Sequence, residues 1–120
     1  MIPDDETVEL VPVRKSWLKD NGINEKSLCA LRVDGESMER ELRHGDTILI
    51  DTNRTNISDG KIHVFVLGDE LFLKYLYRGK DELRAVSKNP SHGEFTITKQ
   101  EVETKRFRLI GVVVASMNWL

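Results

Sequence analysis

A mainly β fold, a partly open antiparallel barrel with short helices near the N-terminus, is what this sequence predicts. Three observations predict it. Apolar residues alternate through several short runs, Thr47–Asp51, Lys61–Leu67 and Glu70–Tyr77. Turn formers punctuate them at regular intervals: Asn53–Gly60, Gly68-Asp69 and Asn89–Gly93. The last long run, Phe107–Met117, is apolar on both faces and carries Gly111, as a strand central in a sheet or covered by a second subunit would be.

The totals narrow the function classes. A chain of 120 residues is long enough for one modest core. The net charge of −2 argues against this segment gripping a nucleic-acid backbone, which needs clustered Lys and Arg. The single Cys29 excludes an internal disulfide and suits a reducing cytoplasm. No apolar run approaches the ~20 residues that span a bilayer, and Pro3-Asp4-Asp5-Glu6 does not open a signal peptide.

In chain order, Val8 to Val13 predicts a weak strand interrupted by Pro12, behind an acidic lead. Ser16–Gly22 predicts a short helix, with Ser16 as cap, Gly22 as left-handed stop and Trp17 as core anchor. Asn24 caps a second turn, Glu25–Cys29, and Leu31–Val33 is a brief strand. From Ser37 to Leu42 the chain can make one or two helical turns, with Met38 and Leu42 on one face. Glu82–Val86 and Phe95–Thr98 add short strands, and Met117–Leu120 is either core or a dimer contact.

Two side chains carry the candidate chemistry. Ser37 follows Gly35 on a tight turn and would sit at a helix start, where backbone N–H groups favour developing negative charge. Lys74 stands alone in the apolar run Leu71–Leu76, with Phe72 and Leu76 on its own face. A serine hydroxyl needs a base, and a lysine can serve if burial keeps its amine neutral. The backbone N–H groups of Ser37 and Met38 would then receive the oxyanion. His44, His63 and His92 form no triad motif and lack metal-ligand spacing, no Gly-rich phosphate loop is present, and no cofactor or metal is expected. The structural readings stay open beside these: Gly-x-Ser as an ordinary turn, and a strand lysine that snorkels to water.

The ordered stretches Val33-Asp34-Gly35-Glu36-Ser37-Met38, His44-Gly45-Asp46-Thr47-Ile48-Leu49-Ile50-Asp51, Asp59-Gly60-Lys61-Ile62, Leu73-Lys74-Tyr75-Leu76, Ser87-Lys88-Asn89-Pro90 and Ile110-Gly111-Val112-Val113 resemble the C-terminal domain of LexA and lambda-type phage repressors. The resemblance covers roughly residues 28 to 115. It implies a LexA/signal-peptidase-like barrel that dimerises, in which Ser37 and Lys74 cut a linker bond of their own polypeptide. It implies RecA filaments as the stimulus, and operator binding through an N-terminal helix-turn-helix domain outside these residues. On that reading residues 1–27 are a linker-derived segment with a short helix, and 28–120 are the peptidase and dimerisation domain of a longer cytoplasmic repressor. No Ala-Gly or Cys-Gly dipeptide, the bond such domains typically cut, occurs in the chain. Two alternatives remain: a non-cleaving oligomerisation domain controlled by an antirepressor, and a UmuD-type accessory to a translesion polymerase.

Overall fold

The computed structural model describes residues 13–35, 38 and 42–117, apart from the side chains of Pro90 and Met117. The expected strand near Val8, the placement of Ser37 and the contact at Met117–Leu120 lie outside the described residues.

Among the described residues seven strands form one antiparallel sheet: β1 (Leu28–Arg32), β2 (Thr47–Asp51), β3 (Lys61–Leu67), β4 (Glu70–Arg78), β5 (Glu82–Val86), β6 (Glu94–Thr98) and β7 (Phe107–Met117). Their spatial order is β1-β2-β7-β3-β4-β5-β6, so the sheet has two edges and does not close. This is the mainly β, open architecture expected. β7 lies between β2 and β3, which explains its two apolar faces without a second subunit. Its broken alternation has a local cause. Opposite β3, residue 110 is an extra residue between Leu109 and Gly111; opposite β2, residue 114 is extra between Val113 and Ala115. Each bulge shifts the pleat by one residue.

The sheet buries opposite faces at its two ends. Val33, Met38, Leu42, Ile48, Ile50 and Val64 form one core, joined by Leu71, Leu73 and Tyr75. Phe65, Leu76, Ala85, Ile97 and Phe107 form the other, joined by Phe72, Leu83 and Phe95. Val64 and Phe65 are adjacent in β3, both wholly buried, and go to different cores because strand side chains alternate. Each large apolar side chain so buried contributes about 1.5–3 kcal/mol.

Gly111 is required where these halves meet. A Cβ there would lie 2.6 Å from the Asp51 backbone oxygen and 2.7 Å from Ile50 Cγ2. The backbones of β7 and β2 approach too closely for any side chain.

The helices differ in detail from expectation. α1 spans Lys15–Asp20, and its N-cap is Arg14, with no side-chain cap. Ser16 therefore lies inside the first turn and caps nothing. Leu18, not the half-buried Trp17, is the buried anchor. Gly22 does supply the left-handed stop, at φ 65°. The Gly22 and Ile23 N–H groups donate to the Lys19 and Leu18 oxygens in a Schellman arrangement. Asn24 caps a 3₁₀ turn, Glu25–Ser27, as expected. β1 begins earlier than expected, at Leu28, because it pairs with the full length of β2. α2 (Lys99–Glu103) is an additional helix, opened by a capping box between Thr98 and Glu101.

Candidate active site

Lys74 sits mid-strand in β4, which is laddered on both sides, by β3 and by β5. Its cross-strand partner in β3 is His63, and the neighbouring pair on the same face is Phe65 and Phe72. Those two rings stack with centroids 5.5 Å apart, and Phe72 in turn meets Phe95 at 5.2 Å. This aromatic layer keeps water from the lysine stem. The residue is only 8% exposed. Burial holds its amine below the ordinary lysine range, since a charged ammonium loses hydration there. The dry lysine expected from the alternation of Leu71–Leu76 is thus present.

The amine has a partner that sequence reasoning missed. Lys74 Nζ donates to Ser87 Oγ at 2.7 Å, and Ser87 is itself 8% exposed. The β4–β5 register pairs Tyr75 with Val86, so one further step sets Ser87 opposite Lys74. Only that register could have revealed it. Ser87 stands in a recognisable stretch, Ser87-Lys88-Asn89-Pro90, but sequence alone does not say what faces it.

Opposite β4 lies the loop that carries Ser37. Its base is closed by Val33 N–H donating to Asp46 O at 2.8 Å and Gly45 N–H donating to Val33 O at 2.9 Å. A third bond runs from Gly35 N–H to His44 Nδ1 at 3.0 Å. That nitrogen must be unprotonated to accept, so the 3.5 Å approach of Asp34 Oδ1 to it becomes an ion pair only when the ring is protonated. Leu42 N–H donates to Met38 O at 2.8 Å, the spacing of a helical turn, and both side chains are buried in the first core. Of the one or two helical turns expected from Ser37 to Leu42, only Met38 and Leu42 are among the described residues, and this bond joins them.

A cleft of about 370 Å³ separates the two walls. Leu31 to Gly35 and Met38 line one side, and Leu71 to Lys74 the other. The structure therefore brings Lys74 to the same cleft as Gly35 and Met38, which bracket position 37. Ser37 itself and its backbone N–H lie outside the described residues.

The histidines are dispersed in role. His63 is wholly buried: its Nδ1 donates to Lys61 O at 2.7 Å and its Nε2 accepts from Ser58 N–H at 3.1 Å. Burial keeps its pKa below the ordinary imidazole value, so the ring is neutral. Among the described residues no group of three or more His, Cys, Asp or Glu side chains could hold a metal ion. No helix among them is long and apolar enough to cross a membrane.

Comparison with known proteins shows the family. The peptidase S24-like family model matches residues 1–114. The chain belongs to the peptidase S24-like family. Within it, the chain is 32% identical over 83 residues to the 26 kDa repressor protein of Escherichia phage HK022, covering 69% of this chain and 35% of that repressor. It is 30% identical over 112 residues to the LexA repressor of Leptospira interrogans, covering 92% of this chain and 49% of that protein. The HTH-type transcriptional regulator PrtR of Pseudomonas aeruginosa is 27% identical over 99 residues, 80% of this chain and 38% of PrtR. This S24-like chain thus spans about a third to a half of the length of the curated relatives it matches.

Proposed function

We propose that this S24-like chain is the dimerising, self-cleaving C-terminal domain of a transcriptional repressor, with Ser37 as nucleophile and Lys74 as base. The observation that carries the reading is the shared cleft: Lys74, whose amine is desolvated by burial, lines it together with Gly35 and Met38, which bracket position 37. Neutral Lys74 takes the Ser37 proton as Oγ attacks a peptide carbonyl. Backbone N–H groups at Ser37 and Met38 receive the oxyanion. The C–N bond then breaks, Lys74 returns its proton to the leaving amine, and water releases the acyl group from Ser37.

The names of the relatives support the cellular setting. The LexA and phage repressors suggest a dimer that meets DNA through another domain; a cytoplasmic setting and RecA filaments as the trigger for cleavage are what the family resemblance implies. In the full-length protein, cleavage is expected to stop in Ser37→Ala and Lys74→Ala. In the unaltered protein its rate is expected to rise with pH through the lowered lysine pKa and then level off. Cleavage that persists in both variants would overturn the dyad.

One observation favours a second reading, a non-cleaving oligomerisation domain released by an antirepressor. The Ser87 hydroxyl already satisfies the Lys74 amine, so the pair could serve packing alone. A full-length protein that represses but stays intact with activated RecA would select it.

A further inference from the structure

We propose that Ser87 is a positioning residue for the base: its hydroxyl holds the Lys74 amine so that the lone pair faces the cleft. This rests on the dyad reading. A neutral amine has two N–H donors and one lone pair, and it rotates freely about its last carbon–nitrogen bond. In a dry site that freedom works against catalysis, because most orientations point the lone pair away from the serine.

The geometry removes the freedom. Lys74 Nζ donates to Ser87 Oγ at 2.7 Å, which commits one N–H to a residue that does not line the cleft. Lys74 lines the cleft and Ser87 does not, so the hydroxyl can hold the amine without occupying the cleft. Ser87 is fixed in turn. Its backbone N–H donates to Gly93 O at 3.2 Å, closing the β5–β6 hairpin, and register sets it opposite Lys74. Ser87 is not a second nucleophile, because it is buried and has no access to a peptide in the cleft.

The role has a distinctive pH signature. A hydroxyl oxygen accepts more strongly from an ammonium than from a neutral amine. Removing it therefore disfavours the charged form further, while also releasing the orientation. Ser87→Ala is expected to lower the high-pH plateau of self-cleavage in the full-length protein about 10- to 100-fold. The midpoint of the rate–pH profile is expected to move to lower pH by about half a unit or more. Ser87→Thr, which keeps the oxygen, should stay within about threefold of the unaltered plateau. Isotope-edited NMR of the Lys74 side chain should show the same acid-ward shift in Ser87→Ala without any cleavage. If Ser87→Ala does not fold, Ser87→Cys, with a weaker acceptor, carries the same comparison.

A lower plateau with an unmoved midpoint would make Ser87 merely structural. Faster cleavage in Ser87→Ala would mean that the hydroxyl caps the lone pair. Either result, or no change at all, overturns the proposal. Ser37→Ala run alongside separates the two ideas: cleavage surviving there sinks the dyad, whereas cleavage lost there with Ser87→Ala silent sinks only the role of Ser87.

Discussion

The two walls of the cleft are built on different principles. The β4 wall is a strand laddered to β3 through Lys74 and to β5 from Tyr75 onward, with an aromatic layer beside Lys74 and a buried hydroxyl on its amine. The loop wall hangs from a short hydrogen-bonded base, and two side chains, Met38 and Leu42, plug it into the first core. One wall can open only if the sheet opens. The other is held, among its described residues, by the hydrogen bonds at its base and by those two side chains. A buried lysine amine is kept dry by the first kind of support.

If that contrast is right, substitutions near the strand wall act globally and those in the loop act locally. The largest effect is expected at Gly111. Gly111→Ala drives a methyl into the Asp51 backbone, which cannot swing aside, and should cost about 3 kcal/mol or more, read as a fall in midpoint on chemical denaturation. A mild effect there would mean that β2 and β7 slide more freely than their register implies.

Next comes His63. Replacing it with Leu leaves Ser58 N–H and Lys61 O without their partner and should cost about 2–3 kcal/mol. The unaltered ring also sets an acid limit. Its folded pKa is depressed, so the unfolded chain binds the proton first as pH falls below the ordinary imidazole value of 6.5. Stability should therefore decline below about pH 6.5, with a slope of up to about 1.4 kcal/mol per pH unit, until the folded ring also protonates. Above that pH the contribution is complete. In His63→Leu this part of the slope should vanish from denaturation curves taken across the same range.

Lys74→Met should move stability the other way. The depressed amine is a cost to the fold, and an apolar chain of similar length should stabilise it by on the order of 1 kcal/mol while ending cleavage. A destabilised Lys74→Met would mean that the bond to Ser87 outweighs the desolvation. The smallest global effect is expected from His44→Ala, about 0.5 kcal/mol or less, because the lost acceptor is exposed and water can replace it. Its mark should be local: faster hydrogen exchange at the Gly35 amide with little change across β4.

The same contrast sorts what could be seen in the sequence. Lys74 was legible because a strand's two-residue period fixes its face and its neighbours Phe72 and Leu76. Gly22 and Asn24 were legible because cap chemistry is local. Ser16 was misplaced, since a plausible cap residue can also fall one turn position inside a helix that starts at Lys15. α2 carried a legible signal, Thr98 followed three residues later by Glu101, but its short polar run hid the helix. Gly111 was visible only as a glycine within an apolar run, and Ser87 only as part of the stretch Ser87-Lys88-Asn89-Pro90, with nothing to say what faces it. Both depend on which strands become neighbours, a property of the whole chain. At the cleft, the buried lysine was therefore readable and the hydroxyl bonded to its amine was not.

β3 ties the molecule together in a way that bears on how it comes apart. Because Val64 and Phe65 send consecutive side chains into separate apolar clusters, neither cluster owns that strand. No cut through the chain leaves a self-sufficient half. Loss of order on one side must strip the other of its central partner, so melting should register as one sharp event by every probe.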